Sequence, residues 1–456
     1  MTQTHERRPA VLWTPEHRAT TAGMLLVVTL IAFENLGVAT AMPTMVADLD
    51  GTALYSWPFT AFLVASVAAT VLSGRLCDRR GPVPSLLIGP SVFLAGLVVA
   101  GTAPTMGLLL AGRFLQGLGT GILLVATSVL IAVVFTDRER PVIYAANAAA
   151  WVLPAVLGPP LAGLVTVHFG WRWVFLGLAP LVPVGVALLI PAVRRITRAG
   201  QPDGEPGGRR ASVRAAVAAA LGVAALTWAA QHPSSLALGY GLAGLVLLGL
   251  ALRKLLPAGT LRARSGLSAV SGVVASRALL AGSFAGMEAF LPLTMTGVHG
   301  YGPAMAGMPL TMAAVSWSAA SVVQGRRPDW RRESLVRAGF GFVAVGLLLF
   351  MAVSQAWCPG WVAFLGAAAG GAGMGIAFPS ISVLLLRFSP VAERGFNTSA
   401  LQLGDWVASA LAVGLGGVLL GALASAGSPG PAVTVLGAVL AASALLGVVV
   451  TGRRPA

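Results

Sequence analysis

Residues 20–46 read TTAGMLLVVTLIAFENLGVATAMPTMV, an apolar run broken by one charged side chain, Glu34. A helix needs about 20 mostly apolar residues to cross the hydrocarbon of a bilayer. This run is too long for a signal-peptide core, and no clear cleavage site follows it. Comparable runs recur near 57–74, 84–103, 107–135, 142–167 and 173–193. After a basic, Gly/Pro-rich gap they resume near 213–231, 236–252, 270–297, 303–324, 335–355, 360–386, 398–424 and 431–451. The reading is an all-α polytopic membrane protein with fourteen spans.

Composition agrees. Charged residues are 10% of the 456, hydrophobic residues 56%, and mean hydropathy is +0.84. A soluble domain carries roughly 25% charged residues and cannot hide this much apolar surface. The chain holds 57 Gly and 29 Pro, below the share expected of low-complexity sequence. Soluble enzymes, disordered chains and disulfide scaffolds are excluded. The two cysteines, Cys77 and Cys358, fall on opposite faces of this topology and lack metal-ligand neighbours. No metal and no cofactor are expected.

An even number of spans puts both termini on one face. The N-terminal tail and every second loop after it hold 27 of the 30 Lys and Arg, among them Arg75, Arg79, Arg80, Arg194, Arg326 and Arg387. The opposite loops hold one, Arg172, while Arg113 and Arg277 sit within or at the edge of spans. Such bias orients the chain with both termini cytoplasmic in a cell membrane. The net charge of +15 then needs no nucleic acid; it is orientation signal and attraction to anionic lipid.

The chain repeats itself. Gly117, Gly119, Gly121 and Ile122 match Gly371, Gly373, Gly375 and Ile376 at an offset of 254, as Glu34 matches Glu288 and Glu139-Arg140 matches Glu393-Arg394. Gly74 and Asp78 match Gly325 and Asp329 at 251, a three-residue indel apart. The expected organisation is a tail (1–21), a six-helix bundle (22–191), a loop with two linker helices (192–275), a second six-helix bundle (276–451) and a tail (452–456). Repeated halves imply a substrate path between them that opens alternately to each side.

Ionisable residues inside hydrocarbon cost about 2.5–3.5 kcal/mol each on insertion scales, so each is a functional candidate. Glu34, Arg113, Glu288 and Asp405 are the candidates for proton coupling. Arg113 and Gln116 are three apart and share a helix face; an intramembrane Arg needs a partner, so Arg113 is expected to face Glu34 or substrate, directly or through water. Gly74, Asp78, Arg79 and Gly81 form an expected loop between spans two and three, where ion pairs latch a closed state, with Asp329 as the repeat's counterpart. Pro154, Gly158, Pro159 and Gly163 are expected to break the fifth span in mid-membrane and serve as a hinge. Pocket candidates are Asn35, Gln116, Tyr144, Asn147, Trp151, Phe284, Trp317 and Gln402, because polar and aromatic groups at mid-span suit amphipathic ligands.

Gly74 to Gly81 resembles the signature Gly-x-Leu-x-Asp-Arg-x-Gly of the major facilitator superfamily. Arg113-Phe-Leu-Gln116-Gly117 is similar to its helix-4 motif, and Gly158-Pro159-Pro160-Leu-Ala-Gly163 to the helix-5 motif that marks antiporters. Gly170-Trp171-Arg172-Trp173 and Glu34, nine residues before Pro43, resemble features of the fourteen-helix drug:proton antiporters. Glu stands where that family carries Asp, Ala162 replaces a Gly, and Pro154 replaces another. The resemblance implies a major facilitator fold of two six-helix bundles plus two linker helices. It assigns proton coupling to Glu34 and Arg113, gating to Asp78 and Arg79, and antiport to Gly158 and Pro159.

The function expected is multidrug efflux, and with it antibiotic resistance: a monomer among lipids exporting small molecules against protons. An exporter of an endogenous metabolite or lipid is the alternative, and a non-coupled channel or sensor a further one. A membrane enzyme fits poorly, because the five histidines are scattered among the tail and external loops. No Gly-x-x-x-x-Gly-Lys loop for ATP is present.

Overall fold

A computed structural model of the chain describes residues 12–136, 139–199, 212–231, 236–260, 269–327, 329–390, 393–424 and 428–452. Fourteen helices among these are long and apolar enough to cross a membrane. The first half comprises α1 (Arg18–Asp48), α2 (Trp57–Arg80), α3 (Val83–Gly101), α4 (Met106–Val134), α5 (Arg140–Ala149), α6 (Val152–Phe169), α7 (Arg172–Leu176) and α8 (Leu181–Ala199). Two linker helices follow, α9 (Val213–Gln231) and α10 (Ala237–Leu255). The second half comprises α11 (Val270–Gly297), α12 (Pro303–Gly325), α13 (Arg332–Val353), α14 (Val362–Phe388), α15 (Arg394–Leu423) and α16 (Gly430–Gly452).

Within the first half α4 packs on α2 and α3, and α1 on α6 and α8. Within the second, α14 packs on α12 and α13, and α11 on α15 and α16. Glycine decides how close these helices come. A Cβ on Gly117 of α4 would strike the Phe62 carbonyl of α2, and one on Gly371 of α14 the Ala313 carbonyl of α12. Gly121 and Gly375 repeat the pattern one turn on, against Ser66 and Trp317. The contacts in the two halves are copies of one another. Without a hydrophobic drive between helices in lipid, such close backbone approach supplies much of the association.

Two expected features are placed differently. Gly74 to Arg80 are the last turns of α2 rather than a loop; a helical Gly costs only about 1 kcal/mol, and open space surrounds Gly74. The turn is confined to Gly81, whose φ of 67° favours glycine, and its N–H closes the helix on the Cys77 carbonyl. The fifth span breaks at Ala150–Trp151, not at Gly158, and α6 runs unbroken through Pro159 and Pro160. A proline breaks the bond to the carbonyl four residues back, so Pro154 acts at Ala150. The sixth span is likewise interrupted between α7 and α8, just ahead of Leu181.

The carbonyls that proline frees are taken by hydroxyls of neighbouring helices. Thr29 of α1 donates to the Ala150 carbonyl at 3.2 Å, and Ser321 of α12 to Gly375, freed by Pro379, at 3.1 Å. Thr311 of α12 donates to Val156, freed by Pro160, at 3.2 Å, which joins the two halves. The Tyr55 hydroxyl donates to the Ala289 carbonyl of α11 at 2.8 Å, a second bond between them. Gly163 against Ala304, and Gly307 against Thr40 and Pro159, bring α6, α1 and α12 into backbone-level contact. On the other flank α2 meets α15, and α9 packs on both.

Overpacking a helix contact costs about 1–3 kcal/mol. Gly117→Ala and Gly371→Ala are expected to lower the melting temperature of the detergent-solubilised protein. Gly341→Ala, with nothing within 4 Å, should leave it unchanged or raise it.

Candidate functional site

Close approach of α4 to α2 delivers Arg113 to the inside of the first half. The Arg113 guanidinium is 1% exposed and Glu34 is 0% exposed; the two form an ion pair through Nη1 and Oε1. Arg113 also donates to Gln116 Oε1 at 2.7 Å and to the Pro58 carbonyl at 3.2 Å, and lies 4.6 Å over the Phe62 ring. The guanidinium is therefore held even if the carboxylate is neutralised. The other carboxylate oxygen, Glu34 Oε2, is buried without a partner among the described residues, as is Gln116 Nε2. One oxygen binds the arginine and one is left to accept a proton or a donor.

A second buried pair lies in the other half. Arg277 of α11 donates through Nε to both oxygens of Asp405 on α15 at 3.0 Å, and its Nη2 lies 2.9 Å from Oδ2. Its Nη1 reaches the Phe378 carbonyl at 3.2 Å and Ser382 Oγ at 3.3 Å on α14, with the guanidinium over the Phe378 ring. Three helices are tied at one point.

Glu288, the counterpart of Glu34 in the repeat, is half-buried and makes no hydrogen bond or ion pair among the described residues. Near it the rings of Phe284 and Trp317 meet edge-on at 5.5 Å, and Trp317 meets Phe378 at 5.4 Å. Asn35 is half-buried and bonds back to the Ile31 carbonyl of its own helix at 3.1 Å. Asn147, Trp151 and Gln402 are half-buried, and Asn147 Oδ1 has no partner among the described residues. The side chain of Tyr144 lies outside those described.

Of the other candidates, Asp78 and Arg79 are exposed at the end of α2, and Asp329 is exposed after α12. Arg140 donates to the carbonyls of Phe135 and Ala132 and closes the end of α4. The Thr136 amide beside Glu139 holds that carboxyl below its ordinary range. Trp171 and Arg172 both donate to Asp48 at the end of α1, at 2.9 and 3.0 Å. This bolts α7 to α1 on the arginine-poor face.

Residues 24–413 match the Major Facilitator Superfamily. The chain belongs to that superfamily. Among its curated relatives is the acurin A biosynthesis cluster MFS-type transporter of Aspergillus aculeatus, 27% identical over 81% of this chain and 68% of that protein. Multidrug resistance protein 3 of Bacillus subtilis is 33% identical over a shorter stretch, 37% of this chain and 33% of the relative. Among solved structures, an auto-inhibited POT family peptide transporter superposes at TM-score 0.72, with 17% identity over 96% of this chain and 98% of that one. A D-xylose-proton symporter gives 0.67, with 16% identity over 95% and 97%. These structures share the major facilitator fold: two six-helix bundles, here with two linker helices between them. The superfamily is one of transporters, not enzymes.

Sequence reasoning missed Arg277, Phe378 and Tyr55. Arg277 was legible as a basic residue outside the arginine-rich loops, and its distance from Asp405 in sequence hid the pair. In this major facilitator protein each buried arginine stands against one carboxylate. Removing one member of a buried pair costs about 3–5 kcal/mol, whereas replacing both by apolar groups is often neutral. Arg113→Leu is therefore expected to lower thermal stability sharply, and the Glu34→Leu/Arg113→Leu double variant to recover most of it. Additive losses would contradict the pairing.

Proposed function

We propose that the chain is a proton-coupled exporter of amphipathic or hydrophobic small molecules that works by alternating access. It acts as a monomer in the cell membrane with both termini cytoplasmic. The observation that carries this reading is the buried Glu34–Arg113 pair at the middle of α1, with one carboxylate oxygen unpartnered. Protonation at Oε2 neutralises Glu34 and cancels its attraction for Arg113. The arginine keeps Gln116, the Pro58 carbonyl and the Phe62 face, so the pair opens without stranding a buried cation. A proton taken from one side thus changes how α1 and α4 hold each other.

Coupling needs the halves to rock. The joints across them at Tyr55–Ala289, Thr311–Val156 and Gly163–Ala304 break and re-form in the stroke. Pro154, Gly158, Pro159 and Gly163 are the proposed hinge, since α6 carries both the prolines and the close contact. Gly74, Asp78, Arg79 and Gly81, with Asp329, are the proposed gate on the arginine-rich face. Asp405, tied to Arg277, is the proposed counterpart of the pair in the second half. Each inward proton carries about 2.3 kcal/mol per 100 mV; at 1.36 kcal/mol per decade this sustains about a fiftyfold gradient of a neutral substrate.

Similarity to proteins named multidrug transporter and efflux pump supports the direction of transport and the drug-like substrate. The relative named for a biosynthesis cluster supports a second reading, export of a metabolite by the same coupling. The test is efflux from proteoliposomes over a panel of compounds, with and without an imposed pH difference. Glu34→Gln is expected to insert normally and lose the pH-driven component entirely. Unchanged pH-driven flux in that variant would refute the coupling role.

A further inference from the structure

The two flanks of the bundle are built differently. On one, the halves meet directly, through Gly163–Ala304 and the Thr311–Val156 bond between α12 and α6. On the other a third element intervenes, because α9 packs both on α2 of the first half and on α15 of the second. In turn α10 is fastened to α9. A Cβ on Gly222 would lie 2.9 Å from the Gly244 carbonyl oxygen, and one on Gly244 equally close to that of Gly222. Four buried alanines of α9, Ala215, Ala216, Ala219 and Ala220, share one cluster with Val67 of α2 and Val407 of α15. Alanine ridges are shallow, so this face can slide where longer side chains would interlock.

The last turns of α9 are different. They reach the arginine-poor face, where the halves are drawn together: Tyr55 ahead of α2 bonds to Ala289, Ala304 opens α12 against Gly163, and Gly307 meets Thr40. There Thr227 sits on Gly414 of α15. A Cβ on that glycine would lie 2.8 Å from the Thr227 hydroxyl oxygen and 3.6 Å from its Cβ. The next residue, Trp228, meets Trp57 at the start of α2 edge-on, with ring centroids 5.7 Å apart. Consecutive side chains of one helix thus hold opposite halves. Motion that opens this face parts Trp57 from Gly414, and one rigid helix end cannot follow both. The two holds are unequal. Thr227 is buried at near-backbone distance, the kind of contact that secures helices in lipid, whereas Trp228 is 48% exposed.

We propose that α9 is a clasp across the arginine-poor face. It rides with the second half, seated on Gly414, and holds the first half through Trp57 and Trp228 until that contact is released. This rests on the alternating-access part of the exporter reading and gives the linker helices a part in it. Because the clasp is made only when the face is shut, it biases the protein towards the state closed there. The alanine face lets α2 shear past α9 once the ring contact has parted.

The test reads opening of that face in the reconstituted full-length protein with Cys77→Ser and Cys358→Ala. Thr40→Cys is the reporter: it is buried against Gly307, and a membrane-impermeant maleimide reaches it when the face opens. The separation of 3.6 Å between Thr227 and Gly414 lies within the roughly 3.5–4.5 Å between Cβ atoms that a disulfide spans. A Thr227→Cys/Gly414→Cys disulfide, its formation checked by mass spectrometry, is expected to leave the labelling rate as it is in the reduced protein. Trp228→Ala is expected to raise that rate about two- to tenfold, the scale of one aromatic pair. Trp228→Phe, which keeps a ring, should stay near the parent rate. A disulfide that stops labelling until it is reduced overturns the proposal, since α9 would then have to leave α15. So does a monodisperse Trp228→Ala variant labelled no faster than its parent. Either failure with pH-driven flux intact leaves the exporter reading standing. The expected labelling pattern without pH-driven flux removes the coupling reading and keeps the clasp. A reporter that no variant exposes overturns alternating access and the clasp together.

Discussion

An arginine and a glutamate, both sealed from solvent within two apolar helices, constrain everything around them. Neither tolerates the hydrocarbon alone, and together they do so only because the remaining hydrogen-bonding groups are supplied. Gln116 on the same helix, the Pro58 carbonyl and the Phe62 ring supply them to Arg113, and the last two depend on α4 lying against α2 at backbone distance. Gly117 and Gly121 make that approach possible. The glycine contacts and the charge pair are thus one device: the first sets the helix spacing, the second uses it.

The prolines act by the same logic of satisfied groups. Pro154, Pro160 and Pro379 each free a carbonyl one turn upstream, and Thr29, Thr311 and Ser321 each take one. A kink in one helix is thereby tied to the side chain of another, and at Thr311 the tie runs between the halves. Polar groups that lipid cannot satisfy become the joints along which the bundle holds its shape. A joint made of one hydroxyl bond, worth about 1 kcal/mol net, is also one a transporter can break and re-form.

The span count, the alternation of arginine and the repeat were legible because each rests on one-dimensional signals: length, charge and offset. The neighbourhood of Arg113 was also legible, because Gln116 shares its helix face and few other ions lie within the spans. The fifth-span break was misplaced because proline acts on the carbonyl four residues back, so the interruption falls at Ala150 and not among the prolines themselves. Gly74 to Arg80 remained helical because glycine weakens a helix without ending it, and Gly81 alone takes the positive φ. The Arg277–Asp405 pair escaped notice because its members are 128 residues apart and no local pattern joins them. Pairings across helices are set by packing, which periodicity does not report.

In the proposed coupling Glu34 gains a proton when its bond to Arg113 opens, and infrared difference spectroscopy reads that event directly. On acidification of the reconstituted protein, a protonated-carboxyl band should grow in, and it should be missing from the Glu34→Gln spectrum. A wild-type spectrum with no such band, or one that survives the substitution unchanged, would contradict the account.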